Sequence, residues 1–169
     1  MAQAPAAGDN VVASEERVKA AYLYRFLSYV EWPSAVFPRA DAAYVIGILN
    51  ADDVAEELMK VAAGRSVNNR AVTIRKLQVG DQLNGTHLLF IGKAERSRQR
   101  QLLKQWHGRP VLLVTESEGA LSQGSMINFR LVDDRVRFEI SLDPVEKSGL
   151  KINSRMFSVA ISVTKEPQQ

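Results

Sequence analysis

The sequence predicts a three-layer α/β domain whose mixed sheet is mainly parallel, ends in a C-terminal antiparallel hairpin and is flanked by helices. Between residues 44 and 115, apolar runs of strand length alternate with segments of helical periodicity, which favours parallel strands joined by helices. After residue 126 the apolar residues alternate strictly, which indicates the hairpin. The 169 residues are 46% hydrophobic and 24% charged, a composition typical of one globular domain.

We expect the domain to cover residues 14–164. Residues 1–13 begin with small, uncharged side chains like the neighbourhood of a signal-peptidase site, so we expect a disordered remnant left after removal of a signal peptide. Residues 165–169 form a short tail. No run approaches the roughly 20 apolar residues that span a bilayer, which predicts a soluble chain.

The first helix is predicted to begin after Ser14 as its N-cap and to end near Trp32, because Pro33 disfavours helical backbone before it. Glu15 and Glu16 place negative charge in its first turn. Its apolar face is formed by Val18, Tyr22, Leu23, Phe26, Leu27 and Val30.

Strands and helices then alternate to the end of the sequence. The predicted elements are the strand Tyr44–Leu49, a helix ending at Gly64, the strands Ala71–Leu77 and Thr86–Ile91, a helix over Glu95–Trp106, the strand Val111–Thr115, and a hairpin that turns at Asp133 and Asp134. Asn153 is predicted to cap a last helix, built on Met156, Phe157, Ala160 and Ile161. A strand over Phe157–Val163 remains open, because Val159, Ile161 and Val163 also alternate.

Several function classes find no support in the residues. The formal charge of +3 is too small for the basic stripe of a nucleic-acid binder, and the absence of cysteine removes thiolate chemistry and disulfides. His87 and His107 lack the spacing of metal ligands, and no Gly-rich loop or nucleophile elbow is present, so we expect no metal, cofactor or enzymatic activity. Glu116 and Glu118 are interpreted as solvated turn residues, and Glu139 as a solvent-facing carboxylate.

The clearest surface feature is a basic stripe of Arg96, Arg100 and Lys104, which four-residue spacing places on one face of the predicted helix. It is either a solvated helix face or a landing surface for an acidic partner or an anionic membrane. The aromatic residues near the first helix leave a similar choice between core packing and a dimer or partner interface. They are Tyr22, Tyr24, Tyr29 and Trp32.

Three segments of the sequence resemble the YfiR-like family of periplasmic regulators. The first runs from Val18 to Phe26 and continues to Glu31-Trp32-Pro33, and the second is Gly85–Ile91. The third and most specific comprises Gly124–Phe129, Val136–Ile140 and Gly149–Arg155. Together they span nearly the whole chain.

The resemblance implies a periplasmic, mixed α/β, often dimeric protein without enzymatic activity. It implies that the protein binds and inhibits an inner-membrane diguanylate cyclase, which lowers cyclic-di-GMP signalling, until an outer-membrane lipoprotein sequesters it. Family members often carry cysteine pairs, whereas this chain has none, so a disulfide-based redox switch is doubtful.

Two surfaces are candidates for contact with the partner protein. One is the basic stripe; the other, which we prefer, is the C-terminal region around Asp143, Lys151, Asn153 and Arg155. The alternative function is a small-molecule sensor module for another membrane signalling protein. In that case Asn50, Lys93 and Glu116 would gather in the crevice beyond the carboxyl ends of the strands of a doubly wound sheet.

Overall fold

The computed structural model describes residues 7–165, with side chains from Glu15 onward. The helices are α1 (Ala7–Tyr29), α2 (Asp52–Ala62), α3 (Gln99–Trp106), α4 (Leu142–Lys147) and α5 (Ser154–Phe157). The strands are β1 (Val30–Glu31), β2 (Tyr44–Leu49), β3 (Ser66–Val67), β4 (Arg70–Leu77), β5 (Leu88–Ile91), β6 (Leu112–Thr115), β7 (Ile127–Val132), β8 (Arg135–Ser141), β9 (Lys151–Ile152) and β10 (Ser162–Thr164). The expected N-terminal remnant and C-terminal tail fall partly outside the described residues, at positions 1–6 and 166–169.

Eight strands form one mixed sheet in the order β10-β8-β7-β6-β5-β2-β4-β3. The neighbours from β7 through β6, β5 and β2 to β4 are parallel, while β7 and β8 form the antiparallel hairpin. Helices flank the sheet, so the predicted fold class is confirmed. Strand β2 occupies the bounds Tyr44–Leu49 that its apolar run predicts.

The strand order reverses direction next to β2. The chain leaves β2 through α2 to β4 on one side, then returns to β5 on the other side and continues outward through α3 to β6. Since such parallel crossovers are right-handed, opposite directions place α2 and α3 on opposite faces of the sheet. The carboxyl ends of β2 and β5 therefore flank the topological switch point, where doubly wound folds form a crevice.

The core runs through the sheet and its helices, and one part of it forms where α1 packs on the hairpin. Tyr22 and Phe26 lie against Phe129 and Phe138 with ring centroids 5.2–6.0 Å apart, in stacked, tilted and edge-on pairs. Asp133 and Asp134 both adopt left-handed backbone, with φ of 51° and 62°, as a two-residue hairpin turn requires. The predicted hairpin and its turn are thus confirmed.

Helix α1 is longer than predicted at its start and shorter at its end. It begins at Ala7, so Ser14 lies inside the helix and is not its N-cap; residues 9–13 contain no glycine or proline to stop it upstream. It ends at Tyr29 because Val30 and Glu31 pair with Ile152 and Lys151 in the ribbon β1–β9.

Helix α3 begins at Gln99, four residues after the predicted start at Glu95. Residues Lys93–Glu95 form a 3₁₀ turn, and the next amides also bond three residues back, from Arg96 to Lys93 and from Arg98 to Glu95. This tighter winding separates Arg96 from the helix that carries Arg100 and Lys104. Arg100 and Lys104 share one face of α3, while Arg96 precedes the helix, so the prediction that all three lie on one helix face was wrong.

The C-terminal segment forms both structures that its sequence allowed, a short helix followed by a strand. Asn153 caps α5 through a 2.9 Å bond from the Arg155 amide, as predicted, but the helix ends at Phe157. The Ile161 amide then donates to the Phe138 carbonyl, and β10 joins the sheet parallel to β8. The helix prediction was therefore wrong beyond Phe157, because the free edge of β8 offers backbone bonds to the following residues.

Candidate functional site

A polar crevice of about 300 Å³ lies at the switch point, lined by residues that follow β2, β5 and β6. Asn50, Lys93 and Glu116 line it together, as the doubly wound prediction requires. A side chain at Gly92 would bring its Cβ within 2.5 Å of the Asn50 carbonyl, so glycine permits the close approach of the two strand ends. Asn50 itself has a φ of 54° and donates to Glu95 Oε2 at 2.9 Å.

A buried ion pair joins α1 to the loop after β6 at the edge of this crevice. Lys19 Nζ lies 2.7 Å from Glu116 Oε1, and the two side chains are only 7% and 6% exposed. The other Glu116 oxygen accepts from the Lys93 amide at 2.9 Å, and Lys19 also binds Glu15 at 2.9 Å. The interpretation of Glu116 as a solvated turn residue was therefore wrong, because a cation 97 positions away in the sequence reaches it.

Two opposing effects act on the pKa of Lys19. Burial lowers it, but the hydrogen bonds and negative charges of Glu116 and Glu15 together outweigh burial and raise the pKa above its ordinary value. Lys19 is consequently a permanent cation at any physiological pH, and it neutralises the buried Glu116 carboxylate.

A second polar network connects β6, β7 and β8. Asn128 is fully buried; its Oδ1 accepts from Thr115 Oγ1 at 2.8 Å and from the Ser117 amide at 3.1 Å. Its Nδ2 donates to Glu139 Oε2 at 2.9 Å. The Glu139 side chain is 16% exposed and lies 3.7 Å from Arg130, so the prediction of a solvent-facing carboxylate was wrong.

This network accounts for a large part of the third sequence segment. The buried Ser125 hydroxyl bonds Thr115 Oγ1 at 2.7 Å and the Ile127 carbonyl at 2.9 Å, so Gly124–Phe129 supplies the polar groups that fix β6 against β7. Ser125 and Asn128 therefore hold neighbouring strands of the sheet together in this region. Sequence periodicity could not reveal them, because their partners lie on neighbouring strands.

The first and second segments meet in an aromatic cluster at the amino ends of β2 and β5. Trp32 Nε1 donates to the His87 carbonyl at 2.9 Å, and the Phe37 ring stacks on His87 at 4.7 Å. Arg70 lies 3.7 Å from the centre of the Phe37 ring. The Val45 amide donates to His87 Nδ1 at 2.9 Å, which fixes the neutral ring with its proton on Nε2.

The surroundings of His87 oppose its protonation. Burial lowers its pKa, the backbone of Val36 acts in the opposite direction, and the charge of Arg70 lowers the pKa further. His87 is thus a structural, neutral residue of the core. The aromatic ring of Trp32 likewise packs internally and is 8% exposed.

The ribbon β1–β9 positions the C-terminal residues that the sequence singled out. Glu31 pairs with Lys151, and the Asn153 amide donates to the Tyr29 carbonyl at 2.7 Å, which ties this segment to the end of α1. Lys151, Asn153 and Arg155 are exposed, and neither cation forms an ion pair with another described residue. Buried Met156 anchors the short helix beneath them. We call Lys151–Arg155 the C-terminal corner.

The remaining predicted site residues lie elsewhere. Asp143 belongs to α4, where its carboxylate bonds Lys147 at 2.9 Å, so it does not join the C-terminal corner through a described contact. Arg96, Arg100 and Lys104 are exposed: Arg96 precedes α3, Arg100 lies in its first turn and Lys104 in its last turn. The structure therefore offers two separate cationic surfaces and one polar crevice.

No three His, Asp or Glu side chains among the described residues are grouped so that they could hold a metal ion. Within that same part of the chain, no helix is both long and apolar enough to cross a membrane. The two polar networks are engaged in structural bonds, and the charged residues outside them lie on surfaces that can bind. Among the described residues, five buried side-chain atoms have no hydrogen-bond partner: Thr86 Oγ1, His87 Nε2, Gln99 Oε1, Trp106 Nε1 and Ser117 Oγ.

These features define a doubly wound α/β domain that presents binding surfaces on a rigid, internally bonded frame. Comparison with known protein families shows which family the domain belongs to. The family model described as YfiR/HmsC-like (DUF4154) matches residues 16–161, and the chain belongs to this family. The predicted resemblance is confirmed. Members of the family are periplasmic regulators of diguanylate cyclases rather than enzymes.

Proposed function

We propose that this protein binds the periplasmic sensory portion of an inner-membrane diguanylate cyclase and inhibits it, which lowers cyclic-di-GMP signalling. The observation that carries the proposal is the C-terminal corner. It belongs to the most specific family segment and lies on the surface, and it holds two cations that lack partners among the described residues. An acidic surface on the sensory domain would complement it.

The corner is well ordered for binding. Its backbone is fixed on one side by the ribbon β1–β9 and on the other by the Asn153 cap, so few degrees of freedom are lost when a partner docks. Arg155 offers a planar fork of donors, which suits bidentate recognition of a carboxylate. Asn153 acts by holding this geometry.

Inhibition requires preference for one conformation of the target. A regulator shifts a conformational equilibrium only by its difference in affinity for the two states, and a shift from 1:99 to 99:1 needs a difference of about 10⁴-fold. We expect the protein to act as a homodimer and to be released from the cyclase when an outer-membrane lipoprotein competes for it.

Reversal of the charge at Arg155 tests the proposal. Arg155→Glu should weaken binding to the isolated sensory domain by at least 30-fold, since loss of one charge-assisted pair costs about 2 kcal/mol or more and repulsion adds to it. Isothermal titration calorimetry measures the affinity, and cyclic-di-GMP production by cyclase-bearing membranes measures the inhibition.

Arg75→Glu is the matched control, because Arg75 is an exposed arginine on β4 that forms no ion pair with another described residue. This variant should bind and inhibit like the parent protein. If Arg155→Glu retains full affinity and inhibition, the C-terminal corner is not the contact surface. If the unaltered protein neither binds nor inhibits any cyclase of its source, the proposed function fails as a whole.

The crevice at the switch point favours a second candidate, a periplasmic sensor of small molecules that acts on another membrane signalling protein. Its volume of about 300 Å³ suits a ligand of metabolite size, and Asn50, Lys93 and Glu116 supply polar contacts. A thermal-shift screen separates the candidates: strong stabilisation by a metabolite, without affinity for any sensory domain, would favour the sensor.

A further inference from the structure

The positive charge of the chain is concentrated in residues 96–109. This stretch contains Arg96, Arg98, Arg100, Lys104 and Arg109 and no Asp or Glu, which gives it a formal charge of +5. Because the whole chain carries +3, the remaining residues sum to −2. All five cations are exposed, and Arg100 and Lys104 share one face of α3. We call the surface that these five residues form around α3 the basic face.

The basic face is not neutralised within the described part of the molecule. None of its five cations forms an ion pair there, although several cations elsewhere do, such as Lys60, Lys76 and Lys165. Arg109 is the only member with a described aromatic contact, 4.8 Å from the Trp106 ring. The face is therefore free to attract an external anion.

Local helix stability argues against two of these cations, Arg98 and Arg100, at the start of α3. Helix α3 has Arg98 at its N-cap without a side-chain capping bond, and its first turn has no acidic residue. Cations near the positive end of a helix are unfavourable, and an Asp or Ser at the cap would stabilise it. Residues that contradict a local rule without internal compensation indicate selection for a function.

The composition of the face distinguishes between partners. Protein interfaces have an apolar or aromatic centre, but the exposed large hydrophobic residues lie outside residues 96–109. Among residues 15–165, whose side chains the structure describes, they are Met59, Val79, Leu131 and Val159. Trp106, the one aromatic residue of the stretch, is buried. A surface of flexible cations without an apolar centre suits a layer of lipid phosphates, where attraction is diffuse.

We propose that the basic face rests on the anionic phospholipid surface of the membrane that carries the target enzyme. Such contact confines the protein to the membrane surface and raises its concentration near the sensory domain. A weak specific interaction with that domain is then enough for inhibition. The biological role of this lipid contact rests on the proposed function, but the contact itself is measurable without the cyclase.

Vesicle binding tests the inference. The full chain should sediment with vesicles of phosphatidylglycerol and phosphatidylcholine in equal parts, and not with phosphatidylcholine alone. Each cation near an anionic surface strengthens association about fivefold, so R96Q/R100Q/K104Q should bind on the order of 100-fold more weakly. Binding should also fall steeply as salt rises from about 0.05 to 0.5 M, because screening shortens the range of the attraction.

The matched control is K60Q/K76Q/K165Q, which removes the same net charge from lysines that pair with Glu57, Glu56 and Glu146. It should bind anionic vesicles like the parent chain, and both variants should melt at the parent temperature. Absence of binding to anionic vesicles overturns the inference, and so does equal weakening by both triple variants.

A third measurement distinguishes lipid from protein as the partner of the basic face. It also distinguishes failure of this inference from failure of the proposed function. R96Q/R100Q/K104Q should keep its affinity for the isolated sensory domain. If it instead loses affinity for that domain, or for the cyclase in vesicles of phosphatidylcholine alone, the basic face contacts an acidic protein surface and the lipid assignment is wrong. Loss of vesicle binding with retained inhibition would leave the proposed function standing.

Discussion

At the scale of single residues, Lys19 and Glu116 show how a charged pair can belong to the core. Both side chains are almost completely buried, and every oxygen of Glu116 has a donor. A buried ion pair of this kind contributes modestly compared with an apolar pair of the same volume, but removal of one member leaves a charge without compensation. The pair therefore matters most when it is broken.

Lys19→Met should lower the free energy of unfolding by about 3 kcal/mol, because Glu116 would remain as a buried carboxylate with only one amide donor. Urea unfolding followed by circular dichroism measures the change. Glu15→Gln is the control, since Glu15 is the more exposed partner and its loss should cost less than about 1 kcal/mol. If Lys19→Met lowers the free energy of unfolding by no more than Glu15→Gln does, the interpretation is contradicted.

His87 predicts a dependence of stability on pH. Its pKa in the folded protein lies below that of the unfolded chain, about 6.5, so the unfolded state binds the proton more readily. The stability that neutral His87 provides is complete above pH 6.5 and is lost as the pH falls below that value. The free energy of unfolding should decline from pH 6.5 to pH 5, by at most about 1.4 kcal/mol per pH unit for this group.

Equilibrium unfolding at several pH values checks this expectation. His107→Gln removes the exposed histidine after α3 and should leave the decline intact, whereas His87→Phe should remove most of it. The latter variant should also be less stable at pH 7, because the Val45 amide loses its acceptor. A decline that persists unchanged in His87→Phe would show that another group titrates.

At the scale of secondary-structure elements, the hairpin β7–β8 carries a strained turn. Asp133 and Asp134 both hold left-handed backbone, which L-residues adopt at a cost. D133N/D134G would supply the pair of residues that this turn type prefers. The variant should unfold at higher urea concentration, with a gain of about 0.5–1 kcal/mol.

Asp134→Val provides the opposite test, since a β-branched residue is poorly tolerated at positive φ. It should destabilise the protein by about 1–2 kcal/mol. Urea unfolding of both variants at one pH gives the comparison. Should D133N/D134G be less stable than the parent chain, the carboxylates would have a stabilising role in the turn that the backbone geometry does not indicate.

The elements also differ in how far the sequence predicts them. Tyr44–Leu49 and the hairpin were predictable because each combines apolar patterning with a clear turn or cap. The two-residue strands β1 and β9 were not, since so few residues carry no period and their pairing joins positions 120 apart (Glu31 with Lys151). The start of α3 was missed because consecutive three-residue bonds precede it, which side-chain spacing does not report.

At the scale of the whole molecule, the doubly wound order makes the crevice predictable while its chemistry is not. Alternation of strands and helices was sufficient to expect that Asn50, Lys93 and Glu116 would meet. The same reasoning assigned Glu116 and Glu139 to solvent, because it could not identify Lys19 and Asn128 as their partners. Such long-range polar contacts are decided by tertiary packing, and only the structure reveals them.

The packing of α1 on β8 and the pairing of β1 with β9 also constrain how the chain reaches this state. The first helix lays its aromatic side chains on strands that are synthesised more than 100 residues later. Helix α2 covers part of the apolar face of α1 early, but the part that packs on β7 and β8 is exposed to water until translation is nearly finished, and closing so long a loop is slow. The nascent polypeptide therefore lacks its complete core for most of its synthesis, and a chain that has not finished folding can be threaded through a narrow export channel.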